Sequence, residues 1–272
     1  MSAAPAAVTS APSILIYAQR DRARSMARSI FPRRRHRVVL TRTAVTFEQA
    51  FRESLIDAAI VDVGAGAASG EDALRVARMA SEFPSVPFFG LLCLRASDAP
   101  ALSQCVAYDF SDVLVEGVDD SVAREIVNRE TFSARFARAL HDPPDALSLS
   151  SPLQQATWRY VVGSAGRGVR TDALAKSLRV TREHLSRTFS AEGRPNLKRV
   201  IDLVRLLAAA ELAKNPGYDV RDVAKVLGFA SPSHLSTTAQ RIVGTKPASL
   251  SRLRTVDLIE RFARGHGRSR RV

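Results

Sequence analysis

The first half of the chain alternates short, continuous apolar runs with segments of helical spacing. The apolar runs cover residues 14–17, 38–40, 59–63, 87–92 and 113–115. The helical patterns cover residues 20–31, 46–56, 70–83, 98–108 and 119–140. Continuous apolar strands separated by helices are typical of a parallel sheet that is covered on both faces. The pattern predicts a doubly wound α/β domain with a five-stranded parallel sheet over residues 13–140.

The last of these helical patterns is longer than the sheet requires. Its apolar positions recur at near-helical spacing at Val122, Ile126, Phe132, Phe136 and Leu140. The spacing predicts one extended helix with an apolar stripe. Such a stripe either packs against a second subunit, carries a signal to the next domain, or simply covers the sheet.

The two ends of this half lack regular patterns. Residues 141–152 are rich in Pro and Ser, which break a helix, so we place a linker and the domain boundary there. Residues 1–12 are rich in Ala, Pro and Ser and lack the basic and apolar regions of a signal peptide. They predict a disordered leader.

The second half is helical in pattern and repeats itself. The first copy reads AKSL at 175–178 and HLSRT at 184–188; the second reads AKVL at 224–227 and HLSTT at 234–238. Each copy predicts a short apolar helix, a tight turn and a second helix with a polar outer face. That is a helix-turn-helix, whose second helix fits the DNA major groove. Between the copies, residues 196–214 are apolar nearly all round and predict a buried central helix.

Charge is distributed unevenly between the halves. The formal charge of the chain is +13. Residues 1–150 hold 17 Arg, no Lys and 18 Asp or Glu, whereas residues 151–272 hold 23 Lys or Arg and 9 Asp or Glu. A basic domain attracts polyphosphate, because neutralised phosphates release counterions. A solvated basic face and a membrane surface are the alternatives, but no membrane-spanning run or lipidation signal accompanies the charge.

Residues 153–254 resemble the DNA-binding domain of the AraC-type (AraC/XylS) transcription regulators. The resemblance rests on the repeat, on Gly228-Phe229 before the second recognition helix, and on the Ser231-Pro232 start of that helix. It implies an all-α domain with two helix-turn-helix units, at 171–189 and 219–243, joined by a long central helix. Arg179 departs from the pattern, because the family often has a small residue there.

Helical spacing also selects the groove-facing residues. The predicted outward positions are Arg182, Glu183, Ser186 and Arg187 in the first recognition helix, and Pro232, Ser233, Ser236 and Thr237 in the second. Arg187 is the strongest candidate, because its fork matches guanine O6 and N7; a phosphate contact or solvated surface is the alternative. His184 and His234 are expected to pack or contact phosphate rather than to bind metal. Residues 255–272 are expected to form a basic tail that is either disordered or adds nonspecific DNA contacts.

The first half resembles a response-regulator receiver domain in the order and spacing of its elements. Asp62 falls where such domains carry the phosphate-accepting aspartate. However, Ala18 and Gln19 stand in place of the acidic pair, Leu92 in place of the hydroxyl residue and Glu116 in place of the lysine. Since an aspartyl phosphate needs a cation and one carboxylate binds Mg²⁺ poorly, we expect a degenerate receiver-like domain that is not phosphorylated. A response regulator driven by phosphorylation of Asp62 is the alternative.

Together these features predict a cytoplasmic, sequence-specific DNA-binding transcription regulator that is not an enzyme and needs no cofactor or metal. Double-stranded DNA is the expected partner, with a homodimer and RNA polymerase as further expectations and no membrane. A nucleotide-binding enzyme is a rival, although Gly64-Ala65-Gly66 alone is weak support. A nonspecific architectural DNA binder is another. Cys93 and Cys105 lack metal-site spacing and are expected to be buried free thiols.

Overall fold

The computed structural model describes residues 11–64, 71–190 and 195–268. The predicted leader lies almost wholly outside these residues, as do most of Gly64-Ala65-Gly66 and the last residues of the predicted tail. Contacts divide the chain into two compact units. One unit is Ala11–Arg135 together with Asn215–Tyr218, and the other contains Phe136–Lys214 and Asp219–Val272.

The first unit is built on a parallel sheet of five strands. The strands are β1 Ser13–Tyr17, β2 Arg37–Thr41, β3 Ala58–Asp62, β4 Phe88–Leu92 and β5 Asp112–Val115. They are ordered β2-β1-β3-β4-β5, and Ile14 of β1 is in register with Val38 of β2 and Ala58 of β3. This is the flavodoxin-like doubly wound order, in which the chain reverses direction across the sheet between β1 and β3. The predicted fold class is confirmed.

Helices cover both faces of this sheet. They are α1 Asp21–Ile30, α2 Ala44–Glu53, α3 Glu71–Glu82, α4 Ala99–Ala107 and α5 Ala123–Glu130. On one face, Ile14 and Ile16 of β1 join a cluster with Ala27 of α1 and Val127 of α5. On the other face, Phe47 and Phe51 of α2 pack against the sheet, with Phe51 stacked on Phe88 at 5.8 Å between ring centroids. Burial on both sides explains why the strands are apolar without alternation.

The last helical pattern of this half is two helices rather than one. Helix α5 ends at Glu130, Thr131 has extended backbone angles, and α6 spans Phe132–Ala139. The break is held by the residue that precedes β3, because the Phe132 amide donates to the Asp57 carbonyl at 2.8 Å. The prediction of one extended helix is therefore wrong.

The apolar stripe is also largely covered. Phe132, Phe136 and Leu140 are buried within the chain, whereas Val122 is 43% exposed and Ile126 is partly buried. The three buried side chains are not available to a second subunit. A charged substitution at Phe132 or Phe136 would damage folding before it tested dimerisation.

The second unit surrounds one central helix. Its helices are α7 Pro152–Gly163, α8 Thr171–Ser177, α9 Arg182–Thr188, α10 Leu197–Leu212, α11 Val220–Val226, α12 Pro232–Val243 and α13 Thr255–Arg268. Helix α10 contacts α7, α11, α12 and α13, and ten of its residues are buried. The inward positions of Trp158 and Val161 on α7 are as predicted.

Two segments expected to be loose belong to this unit. The predicted linker contains a 3₁₀ helix, Asp145–Leu147, and it buries Leu147 and Leu149. The predicted tail forms α13, which buries Leu258 and Phe262 and carries the Arg199 guanidinium over the Phe262 ring at 5.1 Å. The expectations of a loose linker and of disorder in residues 255–268 are wrong for the same reason, whereas DNA contacts by the tail stay a prediction. The predictions followed the charge and proline content of these segments and overlooked their apolar residues, which are part of the core of the helical unit. The boundary between the two compact units lies next to Arg135 and not in the predicted linker.

Candidate nucleic-acid interface

The first helix-turn-helix is formed by α8 and α9. Helix α9 begins after Thr181, whose hydroxyl accepts from the His184 amide at 3.1 Å. The turn before it passes through Arg179, which has a φ of 57° and lies in the left-handed region. A residue with a Cβ atom there costs about 1–2 kcal/mol, which gives a physical reason why glycine, the smallest residue, suits this position. Leu185 and Phe189 are buried and fix α9 to the unit.

The outer face of α9 carries the predicted residues. Arg182, Glu183, Ser186 and Arg187 are all exposed. Arg182 lies 3.5 Å from Asp172, but both side chains are exposed, so this pair is weak. Glu183 and Arg187 are one turn apart, yet within the described residues Arg187 forms no ion pair. Its guanidinium fork is therefore free to meet an incoming ligand.

The second helix-turn-helix is formed by α11 and α12 and has better capping. Asp219 and Asp222 form a reciprocal capping box at the start of α11. Gly228 has a φ of 66° in the turn, the conformation that favours glycine. Ser231 caps α12 by accepting from the His234 amide at 3.0 Å. Of the predicted outward residues, Pro232, Ser233 and Thr237 are exposed and Ser236 is partly buried.

Sequence reasoning missed Gln240 on the same face of α12. It is exposed, three residues after Thr237 and seven after Ser233, so helical spacing alone could have found it. A glutamine can bond adenine in a bidentate manner. Its neighbour Arg241 is less available, because it is paired with Asp202 of α10 at 2.7 Å.

A partly buried arginine of α10 contacts the turn of the second helix-turn-helix. Arg205 donates to the Leu227 carbonyl at 2.9 Å, and its guanidinium lies 3.8 Å above the centre of the Phe229 ring. The Phe229 ring also contacts His234 of α12, whose ring lies edge-on to it at 5.7 Å between centroids. Burial lowers the pKa of Arg205, and the charge of Asp202 partly offsets this. The stack runs from the central helix through the turn to the recognition helix, and it places His234 in a packing role.

We expect Arg205→Met to keep the apolar contact but to lose the hydrogen bond and the cation–π interaction. The free energy of unfolding should fall by about 1–2 kcal/mol, since a desolvated cation–π contact and a hydrogen bond are each of about that order. Urea unfolding of the full chain measures this. Arg241→Met is the matched control, because its ion pair is half exposed and should cost less than about 1 kcal/mol. Equal losses in the two variants would contradict the role given to the Arg205 stack.

A second cluster lies at the carboxyl edge of the α/β sheet. Asp62 ends β3 and has a fully buried side chain. Arg20, which follows β1, donates through Nε to Oδ1 and Oδ2 of Asp62 at 2.9 and 3.0 Å, and its Nη2 bonds both Asp62 and Glu116. Glu116, which follows β5, is 1% exposed in its side chain. The Cys93 thiol completes the cluster, accepting from Arg20 Nη1 at 2.9 Å and donating to Glu116 Oε2 at 3.3 Å.

The charges in this cluster are those of a buried ion pair. Burial raises the pKa of Asp62, and the hydrogen bonds and charge of Arg20 oppose the rise. Burial disfavours the charged guanidinium of Arg20, but its bonds to Asp62 outweigh this, so the pKa of Arg20 is raised. Cys93 is thus half-buried and hydrogen-bonded rather than buried, whereas burial of Cys105 raises its thiol pKa to about 11.

These residues do not fit the Mg²⁺ of a receiver domain. The acidic pair is replaced, and the two carboxylates that remain are already bonded to a guanidinium. Gly64 leaves room for this arrangement, because a Cβ there would lie 2.7 Å from Arg20 Nη2. Arg20 was not singled out in the sequence. The sequence does contain a signal for this ion pair, because Arg20 follows β1 and Glu116 follows β5, and the carboxyl ends of parallel strands meet at one edge of the sheet.

Comparison with known proteins supports the helical unit. Residues 174–252 match a family model described as a helix-turn-helix domain, which supports the predicted helix-turn-helix units and DNA binding. No curated protein matches the chain. Among solved structures, full-length FixJ from B. japonicum covers 84% of this chain and 96% of its own, at 15% identity and a TM-score of 0.37. No helix in the described part of the chain is long and apolar enough to cross a membrane.

Proposed function

We propose that this chain reads a specific DNA sequence with both recognition helices. It is a DNA-binding transcription regulator, and the finer proposal rests on one observation. Helix α12 packs on the central helix α10, α9 packs on α7, which itself packs on α10, and each recognition helix turns a polar face outward. A groove beside α9, lined by Ser186, Ser190 and the exposed Lys198, offers hydroxyl groups and a cation suited to the DNA backbone.

Selection of bound sequences from random duplex DNA, followed by footprinting, tests this proposal. Two recognition helices on one unit should protect two successive major-groove segments on one face of the duplex. We expect their centres to be one helical turn apart, about 10 base pairs. Protection of a single groove segment would contradict reading by both units. Equal binding to random and selected DNA would instead favour an architectural role.

We further propose that the α/β unit regulates without phosphorylation. Attack on a phosphodonor needs a free carboxylate oxygen and a cation for the incoming phosphoryl group. Both oxygens of Asp62 accept hydrogen bonds from Arg20, which is itself held by Glu116. The Arg20 guanidinium is thus a permanent cation at the place where a receiver domain would bind Mg²⁺. This arrangement supports a role for the α/β unit in which it binds a signal or a partner and catalyses no phosphoryl transfer.

The substitution Asp62→Asn tests the trigger. It removes the nucleophile but retains the size of the side chain and an acceptor for Arg20. We expect affinity for the selected operator and promoter output to stay within about twofold of wild type. Glu116→Gln is the matched control, because it weakens the same charge cluster around Arg20 but leaves the candidate phosphate-accepting residue, Asp62, unchanged. Loss of output in Asp62→Asn alone, with normal folding, would restore the phosphorylation model.

We also propose that the protein acts in the cytoplasm as a homodimer, with RNA polymerase as a partner in regulation. With Phe132, Phe136 and Leu140 buried, the exposed apolar residues beside edge strand β5 are better candidates for the dimer contact. They are Leu102 and Val106 on α4, together with Val118 and Val122 between β5 and α5. Val122 is retained from the predicted stripe, and Ile126 lies one turn after it.

A further inference from the structure

The near-neutral charge of the first half conceals a strong segregation. Residues 20–42 contain nine Arg and one acidic residue, Asp21. The other residues up to 150 contain eight Arg and 17 Asp or Glu. The basic charge of this protein is therefore not confined to the helix-turn-helix half.

The structure places these arginines along one edge of the α/β unit. The segment forms α1, a turn and β2, and β2 is an edge strand of the sheet. Arg24 and Arg28 are one turn apart on α1. Burial, together with the charges of Arg42 and Arg28, lowers the pKa of Arg24.

Five of the arginines are exposed and have no carboxylate partner. We call them the arginine edge: Arg28, Arg33, Arg34, Arg35 and Arg37. Within the described residues none of them forms an ion pair, whereas Arg20 is bonded to Asp62, Arg22 lies 3.4 Å from Glu116, and Arg42 lies 2.8 Å from Asp21.

The turn that carries the arginine edge is held in place from beneath. The Arg35 amide donates to the Pro32 carbonyl at 2.9 Å. His36 is buried, bonds Asn128 of α5 at 2.9 Å and meets the Phe31 ring edge-on. The three consecutive arginines are thus presented to solvent on an ordered backbone.

We propose that the arginine edge binds backbone phosphates of duplex DNA outside the operator. Arginine pairs with phosphate in a planar, bidentate manner, and this half of the chain contains no lysine. No large apolar side chain is exposed within residues 20–42, which argues against insertion into a membrane. The proposal rests on the proposed function, because DNA held by the helical unit would be present at a high local concentration for the rest of the chain.

The test compares the full-length protein with a triple variant, Arg33→Gln, Arg34→Gln and Arg35→Gln. The matched control removes the same charge elsewhere on the unit: Arg75→Gln, Arg78→Gln and Arg95→Gln, all exposed. Affinity is measured against salt concentration on three probes: the minimal operator, the operator with about two helical turns of flanking duplex on each side, and a random duplex of the same length. Thermal unfolding confirms that each variant is folded.

For wild type, we expect the flanked operator to bind about tenfold more tightly than the minimal one at low salt, with a steeper salt dependence. The triple variant should lose this difference, and its slope of log affinity against log salt should fall by about 0.9 for each phosphate contact removed. Its affinity for the minimal operator should be unchanged, and the control triple should behave as wild type.

Three results would overturn the inference: no gain from flanking duplex in wild type, an equal loss in both triple variants, or normal binding of all three probes by the arginine-edge variant. The last result would show that the arginine edge does not bind DNA and would favour an acidic protein as its partner. The random duplex separates this inference from the proposed function. If wild type shows no operator preference, sequence reading fails. The inference then still stands or falls on whether the arginine-edge variant loses salt-dependent affinity for that duplex.

Discussion

Arg20→Ala is expected to lower the free energy of unfolding by about 3–5 kcal/mol at pH 7, because it removes one partner of a buried ion pair. The side chains of Asp62 and Glu116 are almost fully buried, and both bond the same guanidinium. Without it, two carboxylates would face each other with little water to screen them. Urea unfolding of the full chain measures the loss, and hydrogen exchange of the β1 and β3 amides assigns it to the α/β unit.

The pH dependence gives this prediction a second readout. Burial raises the pKa of Asp62 above its ordinary value of 3.8. A carboxyl with a raised pKa in the native state binds protons more strongly when folded, so its contribution to stability is present below pH 3.8 and is lost as the pH rises through the native pKa. Removing Arg20 takes away the charge that opposes this rise. The stability deficit of Arg20→Ala should therefore shrink as the pH is lowered from 7 towards 4.

Arg42→Ala is the matched control for this experiment. Arg42 also forms an ion pair, with Asp21 at 2.8 Å, but both side chains are largely exposed. Its loss should cost less than about 1 kcal/mol at any pH. A deficit in Arg20→Ala as small as that of Arg42→Ala, or one that is unchanged between pH 7 and 4, would show that the buried pair does not have the assigned role.

The contrast between these two pairs also shows what the sequence could predict. The five strands follow from local apolar runs, so all five were found to within a residue or so. The partner of Asp62 lies 42 residues away, and Glu116 lies 96 residues from Arg20. Such a pairing becomes visible only when the strand order is known, because only then do the residues after β1, β3 and β5 share one edge.

The break at Thr131 was hidden for a related reason. The apolar spacing continues through it, whereas the bonds that hold the break run from the Phe132 and Ser133 amides to Asp57 and from the Ala134 amide to the Thr131 hydroxyl. In α13, Arg261 and Arg264 are exposed and made the segment resemble a basic tail, although Leu258, Ile259 and Phe262 recur at the spacing of one helical face. Composition and local periodicity do not show bonds between distant parts of the chain, or a few buried apolar residues within a basic segment.

The recognition helices were predicted more completely, because their periodicity is local. Leu185 and Phe189 are buried and the four outward positions of α9 are exposed, as the spacing required. The exceptions are instructive. Ser236 lies at the boundary of the buried face, and Gln240 continues the outward face of α12 one turn beyond the predicted set. Which of these side chains touches a base stays a prediction.

Arg187→Ala is expected to weaken binding to the selected operator by about 1–3 kcal/mol and to relax the preference at one base position. The reason is geometric. Arg187 is exposed in the last turn of α9, and it has no ion pair in the described chain, so its fork can reach guanine O6 and N7 without first breaking an internal bond.

Two kinds of control define the effect of Arg187→Ala. Arg182→Ala removes an equal charge from the same helix, so it reports the effect of charge alone, which we expect to be smaller, uniform across sequences and without effect on base preference. Ser236→Ala and Thr237→Ala should each cost less than Arg187→Ala, because uncharged hydroxyls make weaker contacts than a bidentate guanidinium. Affinities for the operator and for each single-base variant of it provide the measurement. If Arg187→Ala weakened binding to every duplex equally, including random DNA, Arg187 would be a phosphate contact, and base reading by α9 would have to rest on Glu183 and Ser186.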